Sequence, residues 1–452
     1  VDAENFKVNG GQGSDGQVLT STGSGVAFED ASGGPTFKTF GTSSIMVGDD
    51  ATGTIDAADY NTGLGVDIFA ALTSGDYNSV LGFSAGNDIT TGHSNTIIGA
   101  DAGAKITTGA YNTAVGRASL DACTTADSNT AVGWTSLGLT TTGAGNTAVG
   151  SDAGAAITTG ANNVIMGYLA GDALTTGESS TFIGKGAGSS ITTSADNIAI
   201  GFGALDAATS TATSQNIVIG VDAAGGALAG YNNVFIGYTS ALVATSALEN
   251  TAVGGKTLKA LTTGDSNVAI GYEALTSNTT GGNNTAVGYK AGDAITTGDQ
   301  GVYIGQDAGG AGTTGTNTAV GAAALTTQIL GTRNTAIGYG AMQLAGGDGA
   351  SNLLVNNTAV GQQAMYNHDK DDCTAVGMQS LFTMTTGTRN VALGGGAGYG
   401  ITSGADNTTL GLNAGYAITT GANNVAVGKD AMDAVTTGDS NICIGKGSAI
   451  SA

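Results

Sequence analysis

The sequence predicts an all-β fold: a parallel β-solenoid, of the β-roll or β-helix kind. It has about 23 coils of 17 residues and assembles as a parallel homotrimeric fibre. Three observations carry this expectation. A motif reading Asn-Thr-Ala-Val-Gly-x-x-Ala-Gly-x-x-Ile-Thr-Thr-Gly-x-x recurs from Asn61 to Asn441, and nearly every step is 17 residues. A fixed period of this length is the mark of stacked repeats. Within the motif, the fourth position is apolar and the fifth is Gly in all 23 copies. The third position is never charged, although its pleat alternation sets it opposite the fourth.

One copy is too short for a strand-helix-strand unit, so each is read as a single coil with two short sides. Positions 8 and 12, as in Ala291 and Ile295, are four apart and admit one helical turn as an alternative. Successive strands pair in parallel at about 4.8 Å per coil, which predicts a rod roughly 105 Å long.

Each position then receives a role. The fourth fills the coil core: Leu64, Ile98, Val149, Ile236, Ile304 and Val427. The fifth turns the corner, where a positive φ or the lack of room for a Cβ demands glycine: Gly65, Gly99, Gly150, Gly237, Gly305 and Gly428. The first position, Asn in 20 of 23 copies, forms an amide ladder along the axis through Asn95, Asn146, Asn233, Asn334 and Asn424. The third position, read as facing outward, carries Ile97, Ile165, Phe182, Val218, Phe235 and Tyr303 among many Ala. Such a stripe is too large for a monomer to leave in water. Packing against sister chains buries it, hence the homotrimer, with a dimer as the alternative symmetry.

Residues 1–58 hold no clean copy. Short strands are expected at 17–20, 26–29, 37–40 and 44–47, in an attachment or capping region that contacts a larger particle. Residues 59–452 form the repetitive shaft. The step from Asn197 to Asn216 is 19 residues, and the step from Asn334 to Asn357 is 23. The second makes a bulge over 340–372, and Leu353, Leu354, Val355 and Tyr366 are the candidate lateral binding residues. The chain ends before its last copy is complete, so a C-terminal cap or chaperone domain is expected beyond it.

Chemistry is sparse. His368, Asp369, Asp371 and Asp372 are the one weak candidate for a metal site, and a solvated acidic loop is the simpler reading. Cys123, Cys373 and Cys443 are too few and too far apart for a disulfide framework, and read as inert buried thiols. No phosphate loop, cofactor motif or carboxylate pair in aligned coils is present, so no cofactor and no enzymatic activity are expected. The net charge of −22, with only 13 Lys and Arg, excludes a nucleic-acid partner. No run of 18 apolar residues offers a membrane span. The Thr-Thr pairs raise ice binding as a minor alternative.

The Asn-Thr-Ala-Val/Ile-Gly and Thr-Thr-Gly repeats resemble those of phage tail fibre proteins. The segment from Gly16 to Asp30 is similar to one common in marine phage fibres. A looser likeness is to the heads of trimeric autotransporter adhesins, whose shorter Asn-x-Ala-Ile-Gly coils form trimeric β-rolls. The resemblance implies a virion or extracellular fibre. Its N-terminal region would join a virion or baseplate protein. It would support attachment to a host-surface glycan or protein receptor, often after losing a self-cleaving chaperone. A bacterial surface adhesin or extracellular filament subunit is the alternative.

Overall fold

The structure is a computed structural model. It describes residues 17–21, 26–30, 36–40, 44–48, 57–209, 212–310, 316–327, 331–344 and 354–448; before residue 44 only the backbone path is described. The fold is an all-β parallel β-solenoid of about 22 turns at 17-residue spacing. Contacts divide the chain into two compact units, residues 1–129 and 130–452, taken here in turn.

In the first unit, β1 (Gln17–Ser21) and β2 (Val26–Asp30) form an antiparallel pair, with Gln17 opposite Asp30. β3 (Thr36–Phe40) pairs antiparallel with β4 (Ser44–Gly48). All four expected strands are therefore present. β4 differs from expectation in one respect: it pairs in parallel with β5 (Thr62–Gly65), placing Ile45 beside Thr62 and Gly48 beside Gly65. Ser44-Ile-Met-Val-Gly48 thus occupies positions 1 to 5 of an additional coil, 17 residues before Asn61. The ladder begins there, not at residue 59. β3 covers the outer edge of β4 with backbone hydrogen bonds, which removes the open strand edge that invites further pairing. β6 (Ser79–Leu81), β7 (Thr96–Ile98) and β8 (Thr113–Val115) continue the ladder in register.

The second unit runs from β9 (Thr130–Val132) to β27 (Ile442–Ile444), every neighbouring pair parallel and in register. The insertions do not disturb it. Asn216 N–H donates to Asn197 Oδ1 across 19 residues, and Asn357 N–H donates to Asn334 Oδ1 across 23.

The direction of the strand side chains reverses the expectation. Position 3 faces the coil interior. Ile97, Ile165, Phe182, Val218, Phe235 and Tyr303 are all buried, so none packs against another chain. Position 4 faces outward. Leu64 is 52% exposed and Ile98 and Ile304 are 39%, while Val149, Ile236 and Val427 are half-buried. The physical reason lies in the pleat. The Asn at position 1 is buried, and side chains two apart share a face, so position 3 follows it inward. The interior is thin, and alanine is what it holds in most coils.

Several of the larger residues enter where position 9 is glycine, whereas Val218 and Phe235 share their coils with Ala224 and Ala241. The Phe182 ring fills the space beside Gly171 and Gly188, each of which would place a Cβ 2.8 Å from it. Tyr303 lies in the same way against Gly292, Gly301 and Gly309. In three coils where position 12 is small or polar, Cys123, Thr140 and Asn278, position 9 carries leucine: Leu120, Leu137 and Leu275. Core volume is conserved within and between adjacent coils, as close packing requires.

Positions 8 to 12 form turns, not a helical turn. Ala153 N–H donates to Gly150 O and Ile157 N–H to Gly154 O, while Gly154 and Ala156 N–H donate to the next coil at Ala170 O and Asp172 O. The path places positions 7, 9 and 17 at φ near +50 to +60 even for non-glycine residues, as in Asp152, Leu120 and Ser128. Such residues cost about 1–2 kcal/mol each. The stack offsets this by bonding the backbone of each coil to its neighbours.

Candidate interaction surface

The side chain at position 1 locks each coil to the next. Asn233 N–H and Nδ2 both donate to Asn216 Oδ1 at 3.0 Å, and Nδ2 also donates to Ala247 O at 2.8 Å. One amide therefore closes its own coil and holds the preceding one. The pattern repeats at Asn95 and Asn78, Asn163 and Asn146, Asn334 and Asn317, and Asn424 and Asn407. Ser44 ends the first ladder by accepting from Asn61 N–H at 2.9 Å. The corner glycines carry positive φ; Gly150 lies at +139°, where a Cβ would come 2.6 Å from Gly167 O. No other residue fits that approach.

At position 13 the threonine hydroxyls are committed. Thr158 Oγ1 donates to Thr175 O at 3.2 Å and Thr262 Oγ1 to Thr279 O at 2.9 Å. In those coils the position-13 threonine stitches its coil to the next.

The outward strand face carries a continuous row of apolar side chains in each unit. In the second unit it presents Thr, Val or Ile at position 2 and Val, Ile, Leu or Met at position 4 from every strand between β9 and β27. Met166, Ile270 and Leu393 are 40–41% exposed. Side chains of like shape recur in register, so the face is a lattice of mostly β-branched groups. Contiguous apolar surface on soluble monomers is usually limited to a few hundred Å². No charged residue stands at position 2 or 4 in any coil.

Flanking rows carry aromatic and charged groups. Tyr366, Phe382, Tyr399 and Tyr416 stack in consecutive coils at 5.2, 5.2 and 4.9 Å between ring centroids. Lys185 Nζ lies between Tyr168 and Phe202, 5.9 and 5.6 Å from their centroids. Glu273 pairs with Lys256 at 3.0 Å and Lys290 at 3.8 Å. Arg389 grips Asp406 through two bonds of 2.7 and 2.9 Å, which holds the Asp406 carboxyl below the usual carboxylate range.

The metal candidate does not assemble. His368 is wholly buried at position 12, in the slot that an aliphatic side chain fills elsewhere, and burial lowers its pKa to about 4. Asn357 Oδ1 already accepts from Cys373 N–H at 2.9 Å. His368 Nε2, 3.1 Å from that same oxygen, must therefore be the protonated nitrogen, and Nδ1 has no partner. Asp371 Oδ1 accepts from Val355 N–H, and Asp372 Oδ1 accepts from Asn356 Nδ2. These bonds point the carboxylates along the stack while His368 points into it. Among the described residues no group of three metal-ligating side chains exists.

The bulge reads differently from expectation as well. Leu353 lies outside the described residues. Leu354 is buried, and its carbonyl accepts from Asn334 Nδ2 in the role that a position-15 residue plays elsewhere. Val355 is half-buried and bridges to Thr332, and Tyr366 belongs to the stacked row. The residues after the insertion, from Leu354 on, thus restore the coil. Cys123, Cys373 and Cys443 are free and buried, and burial pushes the first two thiols up to about 11. No helix among the described residues is long and apolar enough to cross a membrane.

No protein-family model matches the chain, and neither a curated protein nor a solved structure shows significant similarity to it.

Proposed function

We propose that the protein is a structural fibre subunit, homotrimeric through the outward strand face, that projects from a virion or cell surface and supports attachment. The observation that carries this is the in-register lattice of Val, Ile and Thr at positions 2 and 4, half-buried to exposed over the second unit and free of charge. Burying it against copies of itself is the direct remedy for a contiguous apolar surface. In-register repetition suits a parallel partner, since each coil then meets an equivalent coil. The resemblance of the repeats to phage tail fibre proteins supports the virion setting, and a bacterial adhesin remains the alternative within the same fibre class. The reading contains no enzymatic step, cofactor or nucleic acid.

Sedimentation of the purified chain tests it. Three chains per particle is the expected result, and a monomer at micromolar concentration overturns the reading. The genomic neighbours of the coding sequence separate the two settings: structural phage genes favour the virion, and a downstream membrane anchor favours the adhesin.

A further inference from the structure

We propose that the position-17 row of the first unit contains a saccharide-binding slot, in which one sugar ring lies between Tyr77 and Tyr111 above Ser94. Position 17 sits at the exposed turn before each strand. Tyr60 and Tyr77 occupy it in adjacent coils and stack at 4.9 Å with planes 10° apart. The next coil places Ser94 there, and the one after places Tyr111. Backbone bonds fix the row: Ser94 N–H donates to Asp76 O and Tyr111 N–H to His93 O. The stack of rings is therefore interrupted by one missing ring.

Two coil steps separate the walls by about 9.6 Å. Carbon surfaces touch at about 3.5–4.0 Å, so one contact on each side takes roughly 7–8 Å of this. The remainder suits the thickness of a puckered pyranose. Tyr77, Ser94 and Tyr111 line an open cleft of about 370 Å³, with Asp76, Thr91 and His93 around them. A sugar presents apolar C–H faces and a rim of hydroxyls. The tyrosine faces match the first. The Ser94 and Thr91 hydroxyls, the His93 imidazole and the Asp76 carboxylate match the second.

The walls are braced. His93 stands edge-on to Tyr111, with ring centroids 4.9 Å apart and planes at 87°. Its Nδ1 lies 3.3 Å from Ser94 Oγ. Asp76 Oδ1 accepts from Asp59 N–H at 2.7 Å, which orients the carboxylate and leaves its second oxygen as an acceptor. An equivalent two-coil gap in the second unit, between Tyr168 and Phe202, is filled by the chain's own Lys185. Such a gap therefore admits one inserted group; at the Ser94 level His93 borders the space beside Tyr111, and an open cleft remains between it and Tyr77.

The slot stands on this geometry alone; a role in attachment rests on the fibre reading. Saturation-transfer NMR and calorimetry on the full chain test it, with the methyl glycosides of glucose, galactose, mannose and N-acetylglucosamine as probes. At least one is expected to bind. Tyr111→Ala and Ser94→Tyr should each weaken that binding by about tenfold or more, while Tyr289→Ala leaves it unchanged. Ser94→Tyr completes a row that Tyr60 and Tyr77 already form, so it blocks the slot without unfolding the coil. The proposal is overturned if no glycoside binds at millimolar concentration or if binding survives Ser94→Tyr. Sedimentation of the same samples keeps the two readings apart: a monomer that binds through the slot ends the fibre reading only, and a trimer that binds no glycoside ends the slot only.

Discussion

Phe182 and Gly188 share one volume: the phenyl ring occupies the space that a side chain on the glycine would enter, 2.8 Å from where its Cβ would stand. The thin interior is balanced residue by residue in this way. Gly188→Leu should therefore overpack the coil and cost about 1–3 kcal/mol. The backbone is not the obstacle, because leucine already occupies the same position at Leu120 with φ of +52°. Phe182→Ala leaves a cavity and costs about 3–5 kcal/mol. The double variant should recover much of either loss, a non-additivity that denaturant midpoints would read. Strict additivity would refute shared volume.

The Asn ladder makes a graded prediction. Asn233→Ala removes the acceptor of two bonds from Asn250 and the donor to Ala247 O. It strands buried donors, so a loss of about 2–4 kcal/mol is expected. Asn233→Ser should cost less, since Ser180 already stands in the ladder and accepts from Asn197 N–H at 3.3 Å. Hydrogen exchange at the Asn250 amide checks both; equal protection in all three proteins would contradict the ladder's role.

Charge on the outward face should separate assembly from folding. Val253→Glu with Ile270→Glu places carboxylates at two neighbouring position-4 sites, both at least partly exposed in the single chain. Circular dichroism should be unchanged while sedimentation shows dissociation to monomers. Retained assembly would locate the interface elsewhere.

His368 predicts a pH dependence. Its folded pKa, near 4, lies below the ordinary value of 6.5. The unfolded chain therefore takes up the proton first. Stability is complete above pH 6.5, falls as pH drops towards 4, and levels off below that. The full loss from this one group is about 3 kcal/mol. His368→Leu supplies the aliphatic side chain usual at position 12 and should flatten the profile between pH 4 and 6.5. A slope that persists unchanged in that variant would assign the effect to the carboxylates.

Cys123 and Cys373 have thiols raised to about 11 by burial, so the reactive thiolate is scarce at neutral pH. Neither should react with an aromatic disulfide reagent until the chain is denatured. Prompt labelling of the native protein would show that these coils open.

The repeat period, the all-β class, the corner glycines and the asparagine ladder were legible in the sequence. Each follows from local chemistry repeated at a fixed interval: an amide that bonds its own kind, and a φ that only glycine adopts at close approach. Two features were equally present and went unread. Ser44-Ile-Met-Val-Gly48 lies one period before Asn61, and glycine at position 9 accompanies Ile97, Ile165, Phe182 and Tyr303 at position 3. Only the tertiary structure decided which strand face is interior. Uniform bulk at position 4 looks like a core, and alanine at position 3 looks like a spacer, until the width of the coil is known. That width is set by turns at positions 6 to 12, whose left-handed residues are ordinary side chains such as Asp152 and Leu120. Their conformation depends on hydrogen bonds to neighbouring coils, which one repeat alone does not specify. The same holds for Tyr77 and Tyr111: 34 residues apart in sequence, they line one cleft only because their coils stack with a single coil between them.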